Sequence, residues 1–357
     1  MKSRERVELA LNHERPNHCP FQACFTPEFA VRLQADIVKR NLKANNDDVF
    51  GDGYQMERVV GEDVLITSVG WANSYYLDTK PYTDEWGVGW KINPYNTPFG
   101  TGHYSEICSH PLADEKTINT YQAPDPNRAE LYRESGNVIR DFRNEFWIVG
   151  AAVTTIFETA WALRGLQQIL VDMIQDPDLA NYLFDIPYNY HLEVAKNLVR
   201  MGVDMIYLGD DMGAQNQMMI SPRIWQKYFK PRMANIIHEL KRINPNIKVA
   251  YHTDGNIEPI IPELIEIGLD VLNPVQPASM DPAKIKKQYG KHLCFWGTID
   301  EQHTLPFGSA FDVENEVKLR LETVGQDGGL ILAPTHAVQL DTPLENFWAI
   351  VNTITGQ

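Results

Sequence analysis

Lys248-Val249-Ala250-Tyr251-His252-Thr253-Asp254-Gly255 reads as a short buried strand that ends in a polar cluster. The first four residues have strand character, and Asp254-Gly255 is a turn dipeptide. The same form recurs along the chain. Residues 205–208 run into Gly209-Asp210-Asp211, and 271–273 into Pro274-Val275-Gln276. Residues 293–296 run into Gly297-Thr298-Ile299-Asp300, with Glu301-Gln302-His303 just beyond, and 330–333 run into Pro334-Thr335-His336. Upstream, 146–153 leads to Glu158, and 19–25 and 64–69 complete eight apolar runs.

Helical stretches fill the intervals: 3–12, 27–40, 159–175, 177–200, 222–243, 257–267, 282–289, 313–324 and 343–353. Proline stands at or near several of their starts, where its missing N–H costs nothing. Strands separated by helices pair in parallel, because a parallel pair needs a crossover connection. Eight such units close an α/β (β/α)8 TIM barrel, whose catalytic groups sit at the C-terminal strand ends. The polar clusters therefore converge on one mouth. No G-x-G-x-x-G follows the first strand, so an open dinucleotide-binding sheet has little support.

Residues 71–103 interrupt the pattern. They carry Trp71, Tyr75, Tyr76, Tyr82, Trp86, Trp90, Tyr95 and Phe99, and 84–90 reads as a small hairpin. This insertion is either a satellite aromatic cluster packed on the barrel or a cap that gives the mouth apolar walls. No repeat or linker divides the chain, so 1–357 reads as one domain.

Lys and Arg number 32 against 47 Asp and Glu, a net charge of −15. That balance argues against nucleic acid, which needs a basic face, and weighs against a polyanionic substrate. No run approaches the roughly 18 apolar residues of a membrane span. The N-terminus lacks the apolar core of a signal peptide, so a cytoplasmic location is expected. The four cysteines, Cys19, Cys24, Cys108 and Cys294, form no C-x-x-C pair and read as free thiols.

Each polar residue also has a structural reading. Asp210 or Asp211 could cap a helix, and Asp254 could serve its turn alone. His252 could be a satisfied core histidine, although carboxylates at the same strand end argue for a site. Glu158 could complement the dipole of a helix starting near residue 159. His303 and His336 could be ordinary loop histidines.

Residues 252–256 and 262–276, with Gly209-Asp210-Asp211-Met212-Gly213-Ala214-Gln215, Met219-Ile220-Ser221-Pro222 and 328–334, resemble the uroporphyrinogen decarboxylase superfamily. The resemblance spans nearly the whole chain and implies a (β/α)8 barrel. It implies one of two chemistries: cofactor-free decarboxylation of a porphyrinogen, or methyl transfer involving a corrinoid or a thiol, usually with zinc. The decarboxylase branch has an arginine-rich segment after the first strand. Here the matching region has only Arg15, before the strand, and then Arg32. The methyltransferase branch often holds zinc with His-x-Cys and a distant Cys. Here those positions are His252, Asp254 and about Thr335, beside His336.

The resemblance thus implies a methyltransferase that demethylates a small O-methyl compound, such as a phenyl methyl ether, or an N-methyl compound. The methyl would pass to a corrinoid on a separate carrier protein. His252, Asp210, Asp211 and Glu158 are the expected catalytic groups, and His252, Asp254, Asp210 and Glu158 the expected zinc ligands. Gln215, Asn273, Gln276, Trp86, Tyr76 and His336 are expected at the substrate. The alternatives are a decarboxylase, for which Arg164 and Arg223 are the candidate clamps, and a non-catalytic binding protein. A homodimer is the expected assembly.

Overall fold

The computed structural model describes residues 1–43, 54–70, 75 and 80–356. Seven strands form one parallel sheet: β1 (Val64–Ser68), β5 (Trp147–Val153), β6 (Met205–Gly209), β7 (Lys248–His252), β8 (Val271–Asn273), β9 (Cys294–Ile299) and β10 (Leu330–Pro334). They lie in sequence order, as strands joined by helical crossovers do. One face buries Val64, Trp147, Val149, Met205, Val271, Trp296 and Ile331, with Val7 and Leu11 of the helix Ser3–Leu11. The larger core lies between the sheet and its helices.

Residues 19–25 are the chief departure from the expected strands. They form no regular strand, only single bridges from Phe21 to Leu332 and from Phe25 to Val338. Phe21 also accepts the amide of Asp63, just before β1. Pro20 has no N–H to donate and can only accept from Leu332, so a continuous ladder cannot form there. The expected helix 159–175 is two helices, Phe157–Arg164 and Leu166–Gln175, parted at Gly165 with φ 95°. Likewise 222–243 is Pro222–Tyr228 followed by Lys230–Ile243, with Pro231 opening the second.

The insertion is a three-stranded antiparallel sheet of β2 (Tyr82–Thr83), β3 (Gly89–Thr97) and β4 (Gly100–Ser109). Asp84 organises its first turn. Its carboxylate accepts the amides of Trp86 and Val88 and the Trp90 indole N–H, at 2.8–2.9 Å. The β3–β4 tip is tied to the helix Pro27–Lys39 in two places. The Arg32 guanidinium lies 4.1 Å from the Phe99 ring centroid, and Glu28 accepts the His103 amide at 3.0 Å.

Candidate active site

The register of three adjacent strands builds the site. Gly209 pairs with His252, and His252 with Asn273, so the side chains at these strand ends are neighbours. Asn273 Nδ2 donates to the Trp296 carbonyl at 2.7 Å, which turns Oδ1 toward His252. Oδ1 lies 2.6 Å from His252 Nδ1 and accepts the Tyr207 hydroxyl at 2.7 Å. His252 Nδ1 must therefore carry the proton, leaving Nε2 to face the cavity. Burial alone would lower the His252 pKa, but Asp254, Asp211 and the Asn273 hydrogen bond raise it above its ordinary value.

Two loops bring carboxylates to Nε2. Asp211 lies 3.7 Å and Asp254 3.8 Å from it. The loops touch through glycine backbone. A Cβ on Gly213 would fall 2.5 Å from the Asp254 carbonyl oxygen, and Gly255, at φ +79°, is as tightly placed against Gly213. Asp211 Oδ1 accepts the Asp254 amide at 2.9 Å, and Gln276 Oε1 accepts the Gly255 amide at 2.7 Å. His336, from the loop after β10, completes a group of three. One ligand atom from each of His252, Asp254 and His336 lies within 4.8 Å of the others. Asp254 Oδ1 is buried and has no hydrogen-bond partner. Two imidazole nitrogens and a carboxylate oxygen form a donor set that zinc takes at an open site, so these residues fit the metal.

Asp210 and Glu158 differ from each other in surroundings. Asp210 accepts the amides of Ile156 and Glu158, at 2.9–3.1 Å, and so caps the helix Phe157–Arg164. Its oxygens are spent on backbone, which takes it out of the ligand set. Glu158 lines the cavity. Burial, reinforced by Asp211 and Asp210, holds its pKa well above the usual carboxylate range, which favours the protonated form.

The cavity encloses about 480 Å³, with Phe25, Tyr75, Tyr95, Tyr104, Tyr207 and Trp296 among its walls and Glu158, Asp211, His252, Asn273 and His336 at its polar side. All lysines and arginines of the chain are among the described residues, and none of them lines it.

Several expected site residues lie elsewhere. Trp86 is buried with its ring centroid 4.7 Å from that of Tyr190, away from the cavity. Gln215 is exposed and donates to Gln302 beside a neighbouring depression. Gln276 is buried beneath the Gly255 turn. Tyr76 lies outside the described residues. Arg164 is committed to Asp172 and the Leu112 carbonyl, and Arg223 is exposed. The sequence reading missed Tyr207, Gln22, Cys24 and Tyr104, whereas Tyr95 belongs to the aromatic run it named as a wall of the mouth. Tyr207 had one usable signal: it alternates with Ile206 and Leu208 and so faces the opposite side of its strand.

The uroporphyrinogen decarboxylase (URO-D) family model matches residues 96–356, and the chain belongs to this family. A chloroplastic uroporphyrinogen decarboxylase 1 from Oryza sativa subsp. japonica is 24% identical over 147 residues, 41% of this chain and 34% of the relative. The match thus spans about a third of that protein's length. A solved methyltransferase from Methanosarcina mazei superposes with a TM-score of 0.69 at 19% identity, covering 100% of this chain and 99% of its own. Among the described residues, no helix is long and apolar enough to cross a membrane.

Proposed function

We propose that the chain is a methyltransferase that takes a methyl group from a small O-methyl or N-methyl compound and delivers it to a corrinoid on a separate carrier protein. The observation that carries this reading is the His252–Asp254–His336 group, with an Asp254 oxygen that makes no hydrogen bond, in a cavity that Glu158 also lines. The likeness to the Methanosarcina mazei methyltransferase supports the choice of branch. We read the fold as a full (β/α)8 barrel, residues 19–25 providing the eighth stave through their bonds to Leu332 and Asp63.

Ether cleavage is limited by a poor leaving group, an alkoxide or phenolate. Zinc held by His252, Asp254 and His336 would polarise the ether oxygen. The residues of the chain do the rest. Asn273 and Tyr207 fix the His252 ring, so Nε2 stays aimed at the ligand position. Glu158 gives its proton to the departing oxygen as the C–O bond breaks, and the methyl leaves for the carrier's corrinoid. The aromatic walls exclude water and orient the donor. A decarboxylase is the second reading, favoured by the family match and the rice relative. The absence of lysine and arginine from the cavity weighs against it, because a porphyrinogen brings many carboxylates.

Metal content decides the zinc step. Protein purified without chelator should hold about one zinc per chain, and His252→Ala and His336→Ala should lose it. A wild type that stays metal-free after zinc is offered would remove the Lewis-acid role. Release of a phenol from methoxyarenes in the presence of a reduced corrinoid carrier tests the transfer itself.

A further inference from the structure

A second cleft, of about 620 Å³, opens at the other end of the sheet, where β5, β6, β7 and β8 begin. Asp204, just before β6, ties its neighbours together there. Its carboxylate accepts the Ile148 amide at 3.0 Å and both terminal nitrogens of Arg4, at 2.5 and 2.6 Å, and its carbonyl accepts the Lys248 amide. Asp270, just before β8, accepts the Val249 amide at 2.9 Å and pairs with Lys241 at 3.0 Å. These two acids and two bases cancel. Lys248 and Arg143 also line the cleft, and their side chains make no hydrogen bond or ion pair with any described residue. Lys248 is half-buried, and its charge is felt inside: burial lowers the pKa of His13, and Lys286 and Lys248 lower it further. Arg143 lies against Gly202, whose φ of 97° ends the helix Pro177–Met201; a Cβ there would sit 3.3 Å from Arg143 Nη1. The one lining acid left over is Glu8. Two uncommitted cations therefore face one carboxylate, in a chain of net charge −15.

A half-buried ammonium gives up water and ordinarily gains a partner in return. We infer that the cleft binds a phosphate group, free or at the end of a small ester, between Lys248 and Arg143. A guanidinium fork grips phosphate oxygens in pairs, and an ammonium adds a point charge. A dianion matches two cations, whereas a single carboxylate would leave one of them unpaired. The volume is that of a small-molecule site, with room beside Trp147 for the organic part of an ester. Lys248 opens β7 and His252 closes it, so the phosphate sits about 13 Å along the strand from the histidine. It takes no part in the chemistry at the mouth and does not depend on the methyl-transfer reading. Its effect is to join the segments that precede β5 and β7.

Calorimetric titration of the chelator-treated full-length protein at low salt with inorganic phosphate, AMP and adenosine tests this. Chelation keeps phosphate from binding through a metal ion at the mouth. At least one of the two anions should bind, and adenosine should not. Lys248→Met combined with Arg143→Met should weaken binding at least about 10-fold, the scale of lost hydrogen bonds to charged groups. Glu8→Gln should tighten it about 2–5-fold, a gain that a damaged fold cannot imitate. His252→Ala should bind as the wild type does. AMP binding more tightly than phosphate supports an ester as the ligand, and equal affinities support the free ion. Failure of both anions to bind the wild type overturns the inference, as does equal binding of adenosine. Affinity unchanged in the double variant, or lost in His252→Ala, overturns it too.

Discussion

Glu158 and Asp210 are two acids 52 residues apart in sequence, and the structure gives them opposite tasks. Asp210 is an acceptor of backbone amides, whereas Glu158 lines the cavity, where burial favours its protonated form. Replacing Glu158 by Gln should therefore lower kcat about 10²–10³-fold, the usual scale for a general acid. It should not destabilise the fold. A Glu with a raised folded pKa costs stability above its unfolded pKa, because only the unfolded state ionises there. The glutamine variant should be at least as stable as wild type at pH 8, measured by urea denaturation. The sequence made His252, Asp254, Glu158 and His336 visible because strand ends are where a barrel puts its chemistry. It could not separate Asp210 from Asp211. Which of the two turns to the backbone depends on where a helix begins beyond a neighbouring strand. Nor could it rank His336 as a ligand, since its partners lie more than 80 positions away.

The hairpin shows the same limit among elements. The aromatic run 71–103 marked an insertion, and its turn at 84–90 was legible from the glycines. The part that reaches the cavity is β3 and β4, ending at Ser109, while other aromatics of the insertion serve packing. Trp86 and Trp90 are buried, whereas Tyr95 and Tyr104 reach the cavity. Composition alone cannot sort rings that fill a core from rings that line a wall. The tip is held by Arg32 on Phe99 and by Glu28 on His103, both on exposed ground and each worth about 1 kcal/mol or less. Phe99→Ala should leave the melting temperature nearly unchanged while raising KM about 5–10-fold, with kcat less affected. Faster amide exchange confined to residues 95–104 would accompany it. An unchanged KM would mean that the hairpin is a fixed wall whose position does not depend on its tip.

Across the whole molecule, the cap and barrel share one buried histidine. His191, in the helix Pro177–Met201, donates Nδ1–H to the Pro187 carbonyl at 3.0 Å and stacks against Trp86. Burial lowers its pKa from the ordinary 6.5 to about 4. Above pH 6.5 neither state gains a proton there, so stability is unaffected. Below it, the unfolded chain binds a proton that the folded chain refuses, and stability falls until about pH 4. Between pH 7 and 5 the wild type should lose about 2 kcal/mol more than His191→Gln, read from urea midpoints. Equal losses would place the acid sensitivity elsewhere.

The helix Ser3–Leu11 also acts at a distance. Arg6 pairs with the buried carboxylate of Asp63, whose other oxygen accepts the Phe21 amide at 3.0 Å. Phe21 is followed by Gln22, Cys24, Phe25 and Thr26, which form part of the cavity wall. The floor of the molecule is thus linked to the rim of its mouth through Arg6 and Asp63, beside the bonds that residues 19–25 make to Leu332 and Val338. Replacing Arg6 by Met should leave Asp63 buried without its partner and loosen that wall while every strand keeps its register.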